Sequence, residues 1–140
     1  MTTSTQPGKN NRRLLELAAR TAGITGEYWS GQLPSGAPIE LIEIDPSSST
    51  PDGFPQRVWN SLADNRDAFA MALLSGMEIK HGNGVVVVTS KEGWSASARV
   101  SINPFDLNDY FVPLRLAITE VAAKIEEERA AAETAQLASA

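Results

Sequence analysis

Cysteine is missing altogether from this 140-residue sequence, and histidine occurs once, at His81. Without cysteine there are no disulfides, no thiolate nucleophile and no zinc site built on sulfur, and one histidine cannot furnish a histidine-rich metal centre. Neither a metal nor a cofactor is expected. Long apolar runs are missing too: Ala68 to Leu74 and the four valines Val85 to Val88 both fall far short of the roughly 20 residues that span a bilayer. The segment Met1 to Asn11 is polar, which predicts no secretory signal and no membrane anchor. The expected location is the cytoplasm, with which the lack of cysteine is compatible. The glycines fall in no phosphate-cradling order, since there is neither Gly-x-Gly-x-x-Gly nor Gly-Lys-Ser/Thr. No catalytic residue set assembles, so the expectation is a protein that is not an enzyme.

What is present suits one domain. Hydrophobic residues make up 42% of the chain and charged residues 21%, enough for one core and too ordinary for wholesale disorder. The net charge of −5 opposes nucleic-acid binding, which needs a basic face to displace phosphate counterions. It also falls short of the charge density of a DNA mimic. Residues 1–10 read as a flexible tail, 11–126 as a single α+β domain, and 127–140 as an Ala/Glu-rich tail.

Along the chain, Asn11 can cap a helix from Arg12 to Ala22, with Leu14, Ala18 and Ala22 on one stripe, Leu15 and Leu17 broadening it, and Gly23 at its left-handed end. Ile39 to Ile44 is a β-branched candidate strand between loops rich in Gly, Pro and Ser. The run Asp45 to Gly53 reads as a surface excursion. Asp64 has the chemistry to cap a second helix, with Asp67 in its first turn. In that helix Ala68, Met71 and Ala72 face inward, Phe69 and Leu73 extend the buried face, and Gly76 is the stop.

A three-stranded antiparallel meander follows: Met77–His81, Val85–Thr89 and Trp94–Val100. Asn83-Gly84 is the pair preferred in a type I′ turn, and four consecutive valines predict burial on both faces, hence the central position. Ile39–Ile44 could add a fourth strand. A last helix begins at Asn108 or Asp109, provided that Pro113 falls in its first turn. Its apolar stripe of Leu114, Ile118, Val121, Ala122 and Ile125 then gives way to Glu126, Glu127 and Glu128, which read as a solvated face.

The stretch Trp59-Asn-Ser-Leu-Ala-Asp-Asn-Arg-Asp-Ala-Phe69 resembles a motif of the phage ABA sandwich family, small phage-encoded proteins that read Trp-Asn-Pro-Leu, a few polar residues, then Asp-Ala and an apolar helix. The order of elements over residues 11–126 is similar as well. Ser61 stands where the family commonly has Pro, and Ile24 to Pro55 matches nothing residue by residue. The resemblance implies helices packed with a small antiparallel sheet in an α/β/α sandwich and a phage or prophage origin. It implies no reaction.

Trp59, Asn60, Asp64 and Asp67 are the candidate ligand-binding residues. The competing structural reading has Trp59 packing under the helix, Asn60 closing a turn and Asp64 capping. A helix N-terminus favours anions, but two aspartates there oppose one. His81 has no Ser or Asp at recognisable spacing to make it a base, and Glu40, Glu43 and Asp45 fit a solvated edge strand. Two functions stay open. One is a binding protein acting on a host or phage protein in the infected cell; the other is a module that sequesters a small ligand, a nucleotide being one candidate, in a pocket between protomers. A weak homodimer through the earlier helices or the sheet edge is also expected.

Overall fold

The structure is a computed structural model and describes residues 9–44, 55 and 57–139. The expected Asp45–Gly53 excursion and most of the N-terminal tail lie outside the described residues. The protein is α+β, with three helices and two small antiparallel sheets of three strands each among the described residues. Helix α1 (Lys9–Thr21) leads into β1 (Gly26–Gln32), β2 (Pro38–Ile44) and β3 (Val58–Trp59). Helix α2 (Asn65–Leu74) is followed by β4 (Glu78–Gly82), β5 (Val85–Thr89) and β6 (Ser95–Arg99), and α3 (Asn108–Ser139) closes the described chain.

The meander forms as its sequence dictates. Asn83 and Gly84 both take positive φ (53° and 73°), which matches the twist of the two strands they join. The valine strand β5 lies between β4 and β6 as expected, but only one of its faces is fully buried: Val86 and Val88 are buried beside their cross-strand partners Ala98 and Ala96, while Val85 and Val87 are half-buried. The strand read as a fourth member belongs instead to a sheet of its own. There β2 is central, pairing β1 from Gly26↔Ile44 to Gln32↔Pro38 and β3 through Ile42↔Trp59. Central placement also overturns the solvated-edge reading of Glu40 and Glu43, both of which are buried.

Helix α3 is the spine of the molecule. It lies along α1, packs α2, and carries β5 and β6, while α1 carries β1 and β2. One apolar cluster therefore joins both sheets to the helices, including Leu15, Ala18, Ile42, Trp59, Met71, Val86, Val88, Leu114, Ile118 and Val121. Removing such side chains from water is the main stabilising term of the fold.

Several helix details differ from expectation for local reasons. Helix α1 already runs at Lys9, so Asn11 lies inside it rather than capping it; of the expected stripe Leu15, Leu17 and Ala18 are buried, joined by Ala19, while Leu14 and Ala22 are only half-buried. In α2, Leu73 is 81% exposed, because the helix rests on α3 along Ala68, Met71 and Ala72 and turns Leu73 away. Gly76 (φ 71°) follows the α2 C-terminus in the left-handed conformation expected of a helix stop.

Pro113 falls inside α3, beyond the first turn. Its ring removes the N–H that would bond the Asp109 carbonyl, and the Ser101 backbone N–H donates to that carbonyl instead at 3.3 Å. Beyond Ile125 the helix continues to Ser139 with residues 129–138 exposed. Glu126 corrects the solvated-face reading: it is 2% exposed and accepts both Nε (3.0 Å) and Nη2 (2.6 Å) of Arg129 in a fork.

Candidate functional site

The structure brings Asn60, Asp64 and Asp67 into one turn and turns most of their bonding capacity inward. Trp59 is 5% exposed and sits in the core, so its ring offers no face to a ligand. The Asn60 Oδ1 accepts from the Leu62 N–H (2.8 Å) and the Ala63 N–H (3.1 Å), and its Nδ2 donates to the Glu40 carbonyl (2.6 Å). That one side chain shapes the turn and ties it to β2. The Asp64 Oδ1 accepts from the N–H groups of Arg66 (2.8 Å) and Asp67 (3.2 Å), which is N-cap geometry at the start of α2. The Asp67 Oδ2 accepts the Asn60 backbone N–H at 2.9 Å. Burial pushes the Asp67 carboxyl above its ordinary range, and that hydrogen bond pulls the other way.

Beside this turn lies a cleft of about 320 Å³ whose lining includes Asn11, Glu40, Asn60 and Arg115 among apolar neighbours such as Ile39 and Leu62. Glu40 is fixed within it: Oε1 accepts from the Tyr28 hydroxyl (2.8 Å) and Oε2 from the Asn11 Nδ2 (3.1 Å). Burial, followed by the bond to the Glu40 carboxylate, raises the Tyr28 pKa to about 12. The Arg12 guanidinium lies 4.9 Å from the centre of the Tyr28 ring, in cation–π range. Arg115 donates from Nε to the Leu62 carbonyl (2.9 Å) and from Nη1 to the Asn65 Oδ1 (2.6 Å). Burial lowers its pKa, but a guanidinium starts so high that it stays charged. Among the described residues, its Nη2 makes no hydrogen bond. Sequence reading passed over Arg115, since a lone arginine on a helix carries no signal of what it faces.

A second feature is apolar and outward. Rings from three segments meet edge to face: His81 with Tyr110 (5.5 Å between centroids), Tyr110 with Phe111 (5.3 Å) and Phe111 with Phe69 (5.9 Å). The adjoining segment 102–107 is held as an ordered turn. The Asn103 carbonyl accepts the Asp106 N–H at 3.0 Å, the Asn103 Oδ1 accepts the Phe105 N–H at 3.0 Å, and the Asp106 Oδ1 accepts the Asn108 N–H at 3.0 Å at the start of α3. At its tip Phe105 is 96% exposed, with Ile102 and Leu107 also exposed beside it.

Among the described residues no helix is long and apolar enough to cross a membrane, and no group of three or more His, Cys, Asp or Glu side chains could hold a metal ion. No protein-family model matches the chain, and neither a curated protein nor a solved structure matches it.

Proposed function

We propose that this chain is a non-enzymatic binding protein that engages another protein through the Phe105 turn. The observation that carries the proposal is a fully presented phenylalanine on a turn fixed by its own hydrogen bonds. A large apolar side chain held in water gains by entering a partner's pocket, and a rigid presenter loses little entropy in doing so. The proposal sets this activity in an infected cell, with a host or phage protein as partner. That setting rests on the Trp59-to-Phe69 motif and its resemblance to phage ABA sandwich proteins.

A photo-crosslinking residue placed at position 105, with the also exposed position 137 as a control, tests the idea in infected cells. A partner crosslinked at 105 and not at 137, whose affinity for the purified protein falls about tenfold or more on Phe105→Ala, supports the reading. Equal labelling at both positions, or a partner indifferent to Phe105→Ala, refutes it.

The cleft beside Arg115 favours a second reading, capture of a small molecule. Its lining has no aromatic side chain on which a base could stack and its volume is about 320 Å³, so it suits a small acid better than a nucleotide. Native mass spectrometry of protein from infected cells, before and after Arg115→Met, separates this reading from the first.

A further inference from the structure

The outer edge of β4 carries unused backbone bonding capacity, and its residues select a specific occupant. All five residues of β4 are exposed, and among the described residues β4 pairs only with β5. The two-residue Asn83-Gly84 turn makes Gly82 and Val85 the closing hydrogen-bonded pair. Alternation along an antiparallel ladder then directs the backbone groups of Gly82, Lys80 and Glu78 toward β5, and those of His81 and Ile79 outward. An unpaired edge of this kind is a template for another strand.

We infer that this edge takes a second copy of itself, β4 against β4 in antiparallel register with the two-fold axis at Ile79, joining two three-stranded sheets into one of six strands. The register follows from hydrogen-bond parity and charge together. Only outward-facing residues can form hydrogen-bonded pairs across the new interface. With the axis at Ile79, each Ile79 exchanges N–H and C=O bonds with its counterpart. Each His81 N–H then meets the partner's Met77 carbonyl; the Met77 N–H is already spent on the Ala72 carbonyl at 2.9 Å.

The non-hydrogen-bonded positions in this register set Glu78 opposite the partner's Lys80, twice. Side chains are close at such positions, so two opposite-charge contacts form there. Moving the axis to Lys80 sets lysine against lysine, and moving it to Glu78 sets glutamate against glutamate. Like charges directly opposite destabilise a strand pair. Within one chain the Lys80 Nζ already lies 3.7 Å from the Glu78 Oε1 with both side chains well exposed, so the dimer extends an existing pair into a network of four charges. The interface uses the backbone edge of β4 rather than the Phe105 turn, and either assignment can fail without the other.

The test is sedimentation or light scattering over a concentration series into the millimolar range, on the wild type, Glu78→Lys, Lys80→Glu and the double exchange Glu78→Lys/Lys80→Glu. These side chains are exposed, so the fold does not depend on them. The wild type is expected to dimerise. Each single reversal sets like charges opposite each other and should weaken the dimer by roughly tenfold or more, and the double exchange should restore it. High salt should narrow these differences. Amide exchange should slow with concentration at Ile79 and His81 and stay unchanged at Lys80, which already bonds to β5. A wild type monomeric at every concentration, a dimer indifferent to the single reversals, or a double exchange that fails to restore it would each overturn the assignment.

Discussion

Replacing Asn60 by alanine separates a structural from a ligand-binding role for the motif turn. The side chain makes three hydrogen bonds: to the Glu40 carbonyl, and from the N–H groups of Leu62 and Ala63. Those with Glu40 and Leu62 are partly buried, and each is worth about 1 kcal/mol net, rising when the abandoned partner stays out of water. The Ala63 N–H keeps the Asn60 carbonyl at 3.3 Å and lies at the surface, so its loss adds little. Asn60→Ala should therefore cost about 2–3 kcal/mol in urea unfolding, with an unchanged slope. Asn60→Asp keeps the acceptor that shapes the turn but sets a carboxylate oxygen against the Glu40 carbonyl, and should cost at least as much. A change of less than about 0.5 kcal/mol in Asn60→Ala would show that the turn stands without this side chain and would return Asn60 to the list of ligand-binding candidates.

The remaining expectations are smaller. Asp64→Ala should cost about 1 kcal/mol, the usual worth of an N-cap, with partner binding at Phe105 unchanged. Thr119→Val should cost about 1–3 kcal/mol, because Thr119 donates to the Arg115 carbonyl (2.8 Å) and so must accept from the buried Ser61 hydroxyl (2.8 Å), which would lose its only partner among the described residues. The Tyr28 pKa is raised to about 12 from 10.0 by burial and then by its bond to Glu40, so together these contribute stability that is full below pH 10.0 and lost as pH climbs toward 12. Tyr28→Phe should flatten that alkaline limb of the unfolding profile; an unchanged limb would refute the assignment. Removing residues 130–140 should shift the unfolding free energy by less than about 0.5 kcal/mol, since residues 130–138 are exposed and a short free helix end is marginal in water.

The elements written most plainly in the sequence are those fixed by neighbouring residues. Asn83-Gly84 demands positive φ twice and so sets the β4–β5 register. Four valines put β5 in the middle, and Asp64 marks the start of α2 through its own carboxylate. Elements settled by distant partners were harder to read. Strand β1 is Gly-Glu-Tyr-Trp-Ser-Gly-Gln, with no alternation to announce it; only pairing with β2 makes it a strand. The second sheet went unseen for the same reason. Pro113 sits deeper in α3 than helix rules allow because Ser101, twelve residues earlier, supplies the missing donor. Glu40 and Glu126 looked solvated because a carboxylate is normally solvated, and their burial depends on Tyr28 and Asn11 in one case and on the Arg129 fork in the other.

The same division between local and distant causes decides where the function is to be sought. The motif from Trp59 to Asp67 stood out because tryptophan, asparagine and two aspartates crowd a helix start, a composition shared by ligand sites and by demanding turns. The atoms separate the two cases. Trp59 is spent on the core, Asn60 on three bonds, Asp64 on the cap and Asp67 on the Asn60 N–H. Ser61, where the resembling family has proline, is spent as well, on the buried link to Thr119. A turn so fully occupied can position a site but has little left with which to bind. The groups with capacity to spare lie elsewhere: a phenylalanine held in water, an arginine lining a cleft, and the outer backbone edge of β4. None of these has a sequence signature, because what marks each one is the absence of a neighbour, and a sequence does not show which neighbours are absent until the chain has folded.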